Sequence, residues 1–179
     1  MKSLLIASFA MLLLLPALAC AEGTWTRTGS FLKSAIDDCK AAGRDRTACR
    51  NFTGEALKKL FGIADFCTGS RCLMAMEIEW EIRNTPTKWG TLGAASDQAV
   101  LDKARELAAT KAVVAVLNEG DRGQVAIVMP GAAVPSGKWG LNVPIAVGAR
   151  VDRPEASVYA AGLNWLFADP AKVTLYVRL

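Results

Sequence analysis

The spacing of apolar positions changes character about halfway along the chain. Up to about residue 109 apolar side chains recur at helical intervals, and beyond residue 112 they gather in short, Val-rich runs. Ser30 is placed to cap a helix over 31–41. Thr47 is placed to cap a second over 48–61, where Phe52, Ala56, Leu57, Leu60 and Phe61 share one face before Gly62 stops it. A third helix is predicted over 71–83 from Leu73, Met76, Ile78 and Trp80. Pro86, Gly90 and Gly93 then mark a loop, and Ser96 and Asp97 open a fourth helix reaching about 109.

The second half reads as sheet. Ala112 to Leu117 and Gln124 to Met129 are separated by Asn118-Glu-Gly-Asp-Arg-Gly123, a hairpin signal. Further strands are predicted near 139–147 and 172–178, with a helix at 156–166 between them. Helices followed by antiparallel strands predict an α+β domain.

Ahead of this lies a segment of another kind. Lys2, the apolar run from Leu4 to Leu15, Pro16 and the small residues Ala17, Ala19 and Ala21 have the order of a bacterial secretory signal. The run is shorter than the roughly 20 residues of a membrane-spanning helix, and charged residues interrupt every later apolar segment. Residues 1–21 are therefore expected to be removed, leaving 22–179 as a single domain without a transmembrane segment, in the periplasm or secreted. A cut before Cys20 is the alternative, since Leu18-Ala19-Cys20 resembles a degraded lipobox and would tether the domain through lipid on Cys20.

The formal net charge of +4 is spread along the chain, with no Lys/Arg block and no aromatic ladder, which argues against nucleic-acid binding. Cysteine use says more. Cys39, Cys49, Cys67 and Cys72 remain after the leader, an even set suited to two disulfides in an oxidising compartment. Cys67 and Cys72 enclose only Thr-Gly-Ser-Arg in what reads as a turn, which favours their pairing and leaves Cys39 with Cys49 by elimination, although spacing does not fix connectivity. A zinc site is the competing reading, but tight C-x2-C knuckles are missing. No metal or cofactor motif is recognised, and neither a Walker sequence nor a Ser-centred elbow appears.

Two stretches carry a family resemblance. Thr47-Ala-Cys49-Arg-Asn-Phe52, running on to Leu60-Phe-Gly62, resembles the nucleophile helix of NlpC/P60-type cysteine peptidases, in which a Cys opens a helix with Phe three positions later. Gly123-Gln124-Val-Ala-Ile-Val128 resembles the strand that in the family reads Gly-His-Val-Ala. Lys138-Trp-Gly-Leu-Asn142 and Val173 to Val177 fall where that fold has later strands. The resemblance implies a papain-like domain with N-terminal helices packed on a small antiparallel sheet, related to enzymes that cut amide bonds in peptidoglycan peptides.

In such enzymes a Cys at a helix N-terminus is the nucleophile and a neighbouring His exchanges the proton. Cys49 holds the first position. The chain contains no His, and Gln124 stands in the second position. A neutral carboxamide neither takes up nor delivers a proton near pH 7, and losing a general base costs about 10² to 10⁴ in rate. The expectation is therefore an impaired catalyst that binds peptidoglycan stem peptide or a periplasmic protein. An active cysteine amidase using Glu119 or Asp121 as base, and a disulfide-stabilised structural or partner-binding protein, are the alternatives. A 39–49 disulfide would stabilise the domain and abolish nucleophilicity together.

Asn142 is a candidate third polar residue, or else a turn residue. Trp139 and Trp89 are candidates for stacking on sugar or peptide, or for core and cleft wall. Trp80 and Trp165 read as core, and Glu77, Glu79 and Glu81 as solvated.

Overall fold

The structure of the chain, a computed structural model, describes residues 17–43, 45–69, 71–117 and 123–179, with backbone only for 17–24 and 26–28. The leader's apolar run, Glu119 and Asp121 lie outside the described residues. Two helices come first, α1 (Ala17–Ala41) and α2 (Thr47–Phe61). A two-residue ribbon, β1 (Cys67–Thr68) with β2 (Arg71–Cys72), leads into α3 (Ala75–Asn84). Then come β3 (Trp89–Ala94), α4 (Gln98–Leu107), β4 (Val113–Leu117) and β5 (Val125–Val128). The chain closes with β6 (Val134–Ser136), β7 (Leu141–Val143), β8 (Ile145–Gly148), β9 (Val158–Gly162) and β10 (Val173–Arg178).

The helix starts follow from local acceptors for otherwise unpaired N–H groups. Asp97 Oδ1 accepts from Ala99 N at 2.8 Å to begin α4, and Glu77 accepts from Met74 N at 2.6 Å to begin α3. At α2, Asp45 Oδ1 accepts from Thr47 N at 2.9 Å, so Thr47 is the first helical residue and not the cap. Ser30 caps nothing either, because α1 runs straight through it.

Strands β3-β10-β4-β5-β8-β9, in that spatial order, form an antiparallel six-stranded sheet, and β6 pairs with β7 alone. The fold is therefore α+β, as the sequence pattern implies. Side chains of a strand alternate between faces, and here both faces are covered. On one face Val114, Val116, Val125 and Ile127 meet Leu32 and Ile36 of α1, Phe52 and Leu57 of α2, and Ile78 and Ile82 of α3. On the other, Val113, Ala115, Ala126 and Val128 meet Leu101 and Ala104 of α4 together with Val143, Leu163 and Phe167. Burial on both faces explains why β4 and β5 are continuous apolar runs without alternation.

Several expectations are corrected. Residues 89–94, read as loop, form edge strand β3, which pairs with β10 across a register shift. Residues 156–166, read as helix, contain β9, which pairs with β8 and is flanked by 3-10 turns at Pro154–Ala156 and Leu163–Trp165. Arg71 and Cys72 belong to the ribbon, so α3 starts later than its apolar spacing implied. Trp80 and Trp165 are not core but 61% and 70% exposed. Glu79 is not solvated. It is buried, with Arg83 Nη2 3.1 Å from its Oε1 one helical turn on.

Candidate functional site

Cys49 lies in the first turn of α2, and Cys39 in the last turn of α1. The two sulfurs are bonded, joining the helices across the intervening loop. The second bond joins Cys67 to Cys72 across the β1–β2 ribbon and lies against Gly54 on the flank of α2. A helix N-terminus stabilises a thiolate, but a disulfide sulfur has no thiolate to stabilise. Cys49 is therefore a crosslink in this structure.

Gln124 sits immediately before β5, the strand on which α2 packs. It is buried, and its Nε2 donates to the carbonyl of Ala149 at 3.1 Å. The other end of that same peptide unit, the N–H of Arg150, donates to Ser157 Oγ at 2.8 Å. Ser157 Oγ in turn lies 3.3 Å from Cys39 Sγ. Because the disulfide sulfur carries no proton, the Ser157 hydroxyl is the donor there.

A continuous path of polar contacts thus runs from Gln124 through the Ala149–Arg150 peptide and Ser157 to the Cys39–Cys49 bond. The groups along it are shielded from water: Cys39 is 0%, Ser157 1%, Cys49 3% and Gln124 8% exposed. Buried polar groups are tolerated when each finds a partner, and these do. The arrangement holds structure: the Cys49 sulfur is committed to a disulfide and the Gln124 amide to a carbonyl, so neither is a thiolate or a titrating base.

Backbone packing closes the same region from the α3 side. A Cβ at Gly123 would stand 2.4 Å from the Cα of Met76, so only glycine lets the start of β5 approach α3 this closely. Outside the path, Arg150 makes two bonds to Asp152, at 3.1 and 2.6 Å, and these hold the Asp152 carboxyl below the usual carboxylate range.

Asn142 is elsewhere. It lies in β7, where its backbone N–H donates to Gln98 Oε1 at 2.9 Å and its carbonyl accepts from Gln98 Nε2 at 3.0 Å. That exchange ties the β6–β7 ribbon to α4, on the sheet face opposite to Cys49. Trp139 packs against the same α4-side core with a buried, unpartnered Nε1. Trp89 is 2% exposed, its ring 5.8 Å from that of Phe66, so it presents no face for a ligand to stack on. The structure brings Cys39, Cys49 and Gln124 together and leaves Asn142, Trp139 and Trp89 apart from them.

Ser157 and the Ala149–Arg150 peptide are the functional-site residues that sequence reasoning missed. Their roles depend on β9 lying beside β8, and the Ala-rich segment around Ser157 has the composition of a helix.

A second charged feature lies at the far end of α2. Asp65 Oδ2 accepts from Arg178 Nη1 at 2.8 Å and from Lys88 Nζ at 3.2 Å. Burial alone would raise the Asp65 carboxyl, but these two cations outweigh it and hold the group below the usual carboxylate range.

Comparison of the chain with protein-family models and with curated proteins returns no match. Among the described residues no helix is long and apolar enough to cross a membrane. Two disulfides are compatible with a periplasmic or extracellular location.

Proposed function

We propose that the chain is an exported NlpC/P60-like domain, related to peptidoglycan peptide amidases, that has lost thiol catalysis and binds cell-wall peptide. The observation that carries this reading is the state of the two positions the resemblance singles out. The nucleophile position is a buried disulfide, and the base position is an amide committed to a backbone carbonyl. Supporting it, Cys49 opens a helix that packs on the sheet beside the strand that Gln124 precedes, the arrangement such a fold needs. An active enzyme would need the Cys39–Cys49 bond opened and a titrating base in place of the Gln124 amide.

The test has two arms, sedimentation of the protein with insoluble peptidoglycan and release of peptides from it. The proposal expects co-sedimentation without release. Release that disappears in Cys49→Ala would show an active amidase instead, and a protein that stays in the supernatant would lose the wall reading altogether.

A disulfide-stabilised partner-binding protein is the second reading, favoured by one observation. Met76 and Trp80, one turn apart on α3, are 41% and 61% exposed and form an apolar ridge. Exposed apolar ridges of this kind recur at protein contacts.

A further inference from the structure

The Cys67–Cys72 disulfide is the more accessible of the two crosslinks and sits like a wedge against α2. Cys67 is partly exposed and is followed by exposed Thr68 and Gly69, whereas Cys72, Cys39 and Cys49 are buried. On its inner side the bond fills the space that Gly54 leaves open. A Cβ at Gly54 would stand 2.8 Å from Cys72 Cβ, 3.0 Å from Cys67 Sγ and 3.2 Å from Cys72 Sγ. Two separate thiols need more room than a bonded pair, and the backbone of α2 gives none, so the ribbon is the side that has to move.

The ribbon runs directly into α3. Leu73, next to Cys72, donates its N–H to the carbonyl of Phe66 at 2.8 Å. Met74 donates its N–H to Glu77 Oε2 at 2.6 Å, the bond that begins the helix. Two residues on, the backbone of Met76 lies against Gly123, the residue before Gln124. Consecutive contacts thus lead from the accessible disulfide to the edge of the buried path. The Arg71–Glu77 ion pair also spans ribbon and helix, but at 3.4 Å on the surface it adds little.

We infer that the 67–72 bond is a dithiol-sensitive clamp. Closed, it seats the first turn of α3 on Gly123. Opened, it frees that turn while the 39–49 crosslink and the sheet stay intact. The reaction is thiol–disulfide exchange. One thiolate of a dithiol attacks Cys67 Sγ, and Cys72 leaves as a thiolate that takes up a proton. The second thiol then attacks the reagent sulfur of the mixed disulfide, closing the reagent's own disulfide and releasing Cys67, which is protonated in turn. The dithiol loses two electrons and two protons, and the protein gains both. The clamp does not depend on what the domain binds.

The experiment is a titration of isotope-labelled protein with dithiothreitol to the point at which alkylation finds Cys67 and Cys72 free and Cys39 and Cys49 still joined, with amide hydrogen exchange read by NMR. The amides of Leu73 and Met74 are expected to exchange at least about tenfold faster than in the oxidised protein, while those of β4 and β5 keep their rates. The Gly123 amide resonance is expected to shift. Cys67→Ser combined with Cys72→Ser should reproduce the open state without reductant. Glu77→Ala should speed exchange at Met74 in the oxidised protein and leave Leu73 responsive to reduction. Unchanged exchange at Leu73 and Met74 once the bond is open, or a double Ser variant exchanging as slowly as oxidised wild type, would overturn the clamp. So would a Gly123 resonance that stays in place, or release of Cys39–Cys49 at the same reductant concentration.

Discussion

Gln124 and Ser157 hold opposite ends of one peptide unit. The Gln124 amide donates to its carbonyl at Ala149, and the Ser157 hydroxyl accepts from its N–H at Arg150. Ser157 also reaches the Cys39–Cys49 disulfide, so the two positions that the family resemblance marks as base and nucleophile are joined through a single buried structural element. The consequences for stability and reactivity can be measured.

Removing the Ser157 hydroxyl leaves the part-buried Arg150 N–H without its partner. Ser157→Ala should therefore cost about 1–3 kcal/mol in urea denaturation. A loss below about 0.5 kcal/mol would mean that water replaces the hydroxyl and that the path is not sealed.

The two disulfides should open in a fixed order under a graded dithiol reductant. Cys67 is partly exposed, whereas Cys39 and Cys49 are both buried, so attack on the 67–72 bond is sterically easier. Differential alkylation followed by mass spectrometry should find Cys67 and Cys72 labelled first. Earlier labelling of Cys49 would show a centre more open than described.

Gly54 is fixed by the neighbouring disulfide. A Cβ there would stand 2.8 Å from Cys72 Cβ and 3.0 Å from Cys67 Sγ, with the crosslink unable to swing aside. Gly54→Ala should lose about 1–3 kcal/mol despite alanine's better helix propensity, measured by thermal or urea unfolding. An increase in stability would contradict this packing.

Asp65 supplies a pH dependence whose sign follows from its ion pairs. Its folded pKa lies below the ordinary value of 3.8, so its contribution is present above about pH 4 and is lost as pH falls through the folded pKa. Asp65→Asn should be less stable than wild type at pH 6, and the gap should narrow as pH falls below about 4. A gap independent of pH would assign the loss to packing and not to charge.

How much of this was written in the sequence depends on how strongly each segment favours one partner. α2, β4, β5 and β10 combine strong patterns with full burial, and spacing alone located them to within a residue or two. The edge strands failed for separate reasons. In β3, Gly90 and Gly93 carry loop propensity, yet Gly90 meets Leu179 and Gly93 meets Val100 so closely that a side chain would clash. In β9, alanines favoured helix, and pairing with β8 prevailed even though Ala160 takes a positive φ of 51°. Local propensity is a weak prior, and tertiary pairing decides such segments.

α3 shows the same limit from another side. It is apolar on two faces, and nothing local says which one meets the sheet. Ile78 and Ile82 do, while Met76 and Trp80 face solvent. At the site, Cys49 and Gln124 were legible from residue type and position. The Ser157 connection was not, because it is made only once β9 has paired.

The central claim is that the nucleophile position is spent on a structural crosslink, and mapping the crosslinks in native protein tests it most directly. Digestion without reduction, after alkylation of the folded chain, should yield Cys39 joined to Cys49 and Cys67 joined to Cys72, with no alkyl group on Cys49. Recovery of alkylated Cys49 from the native protein would contradict the account and return the chain to the candidates for thiol catalysis.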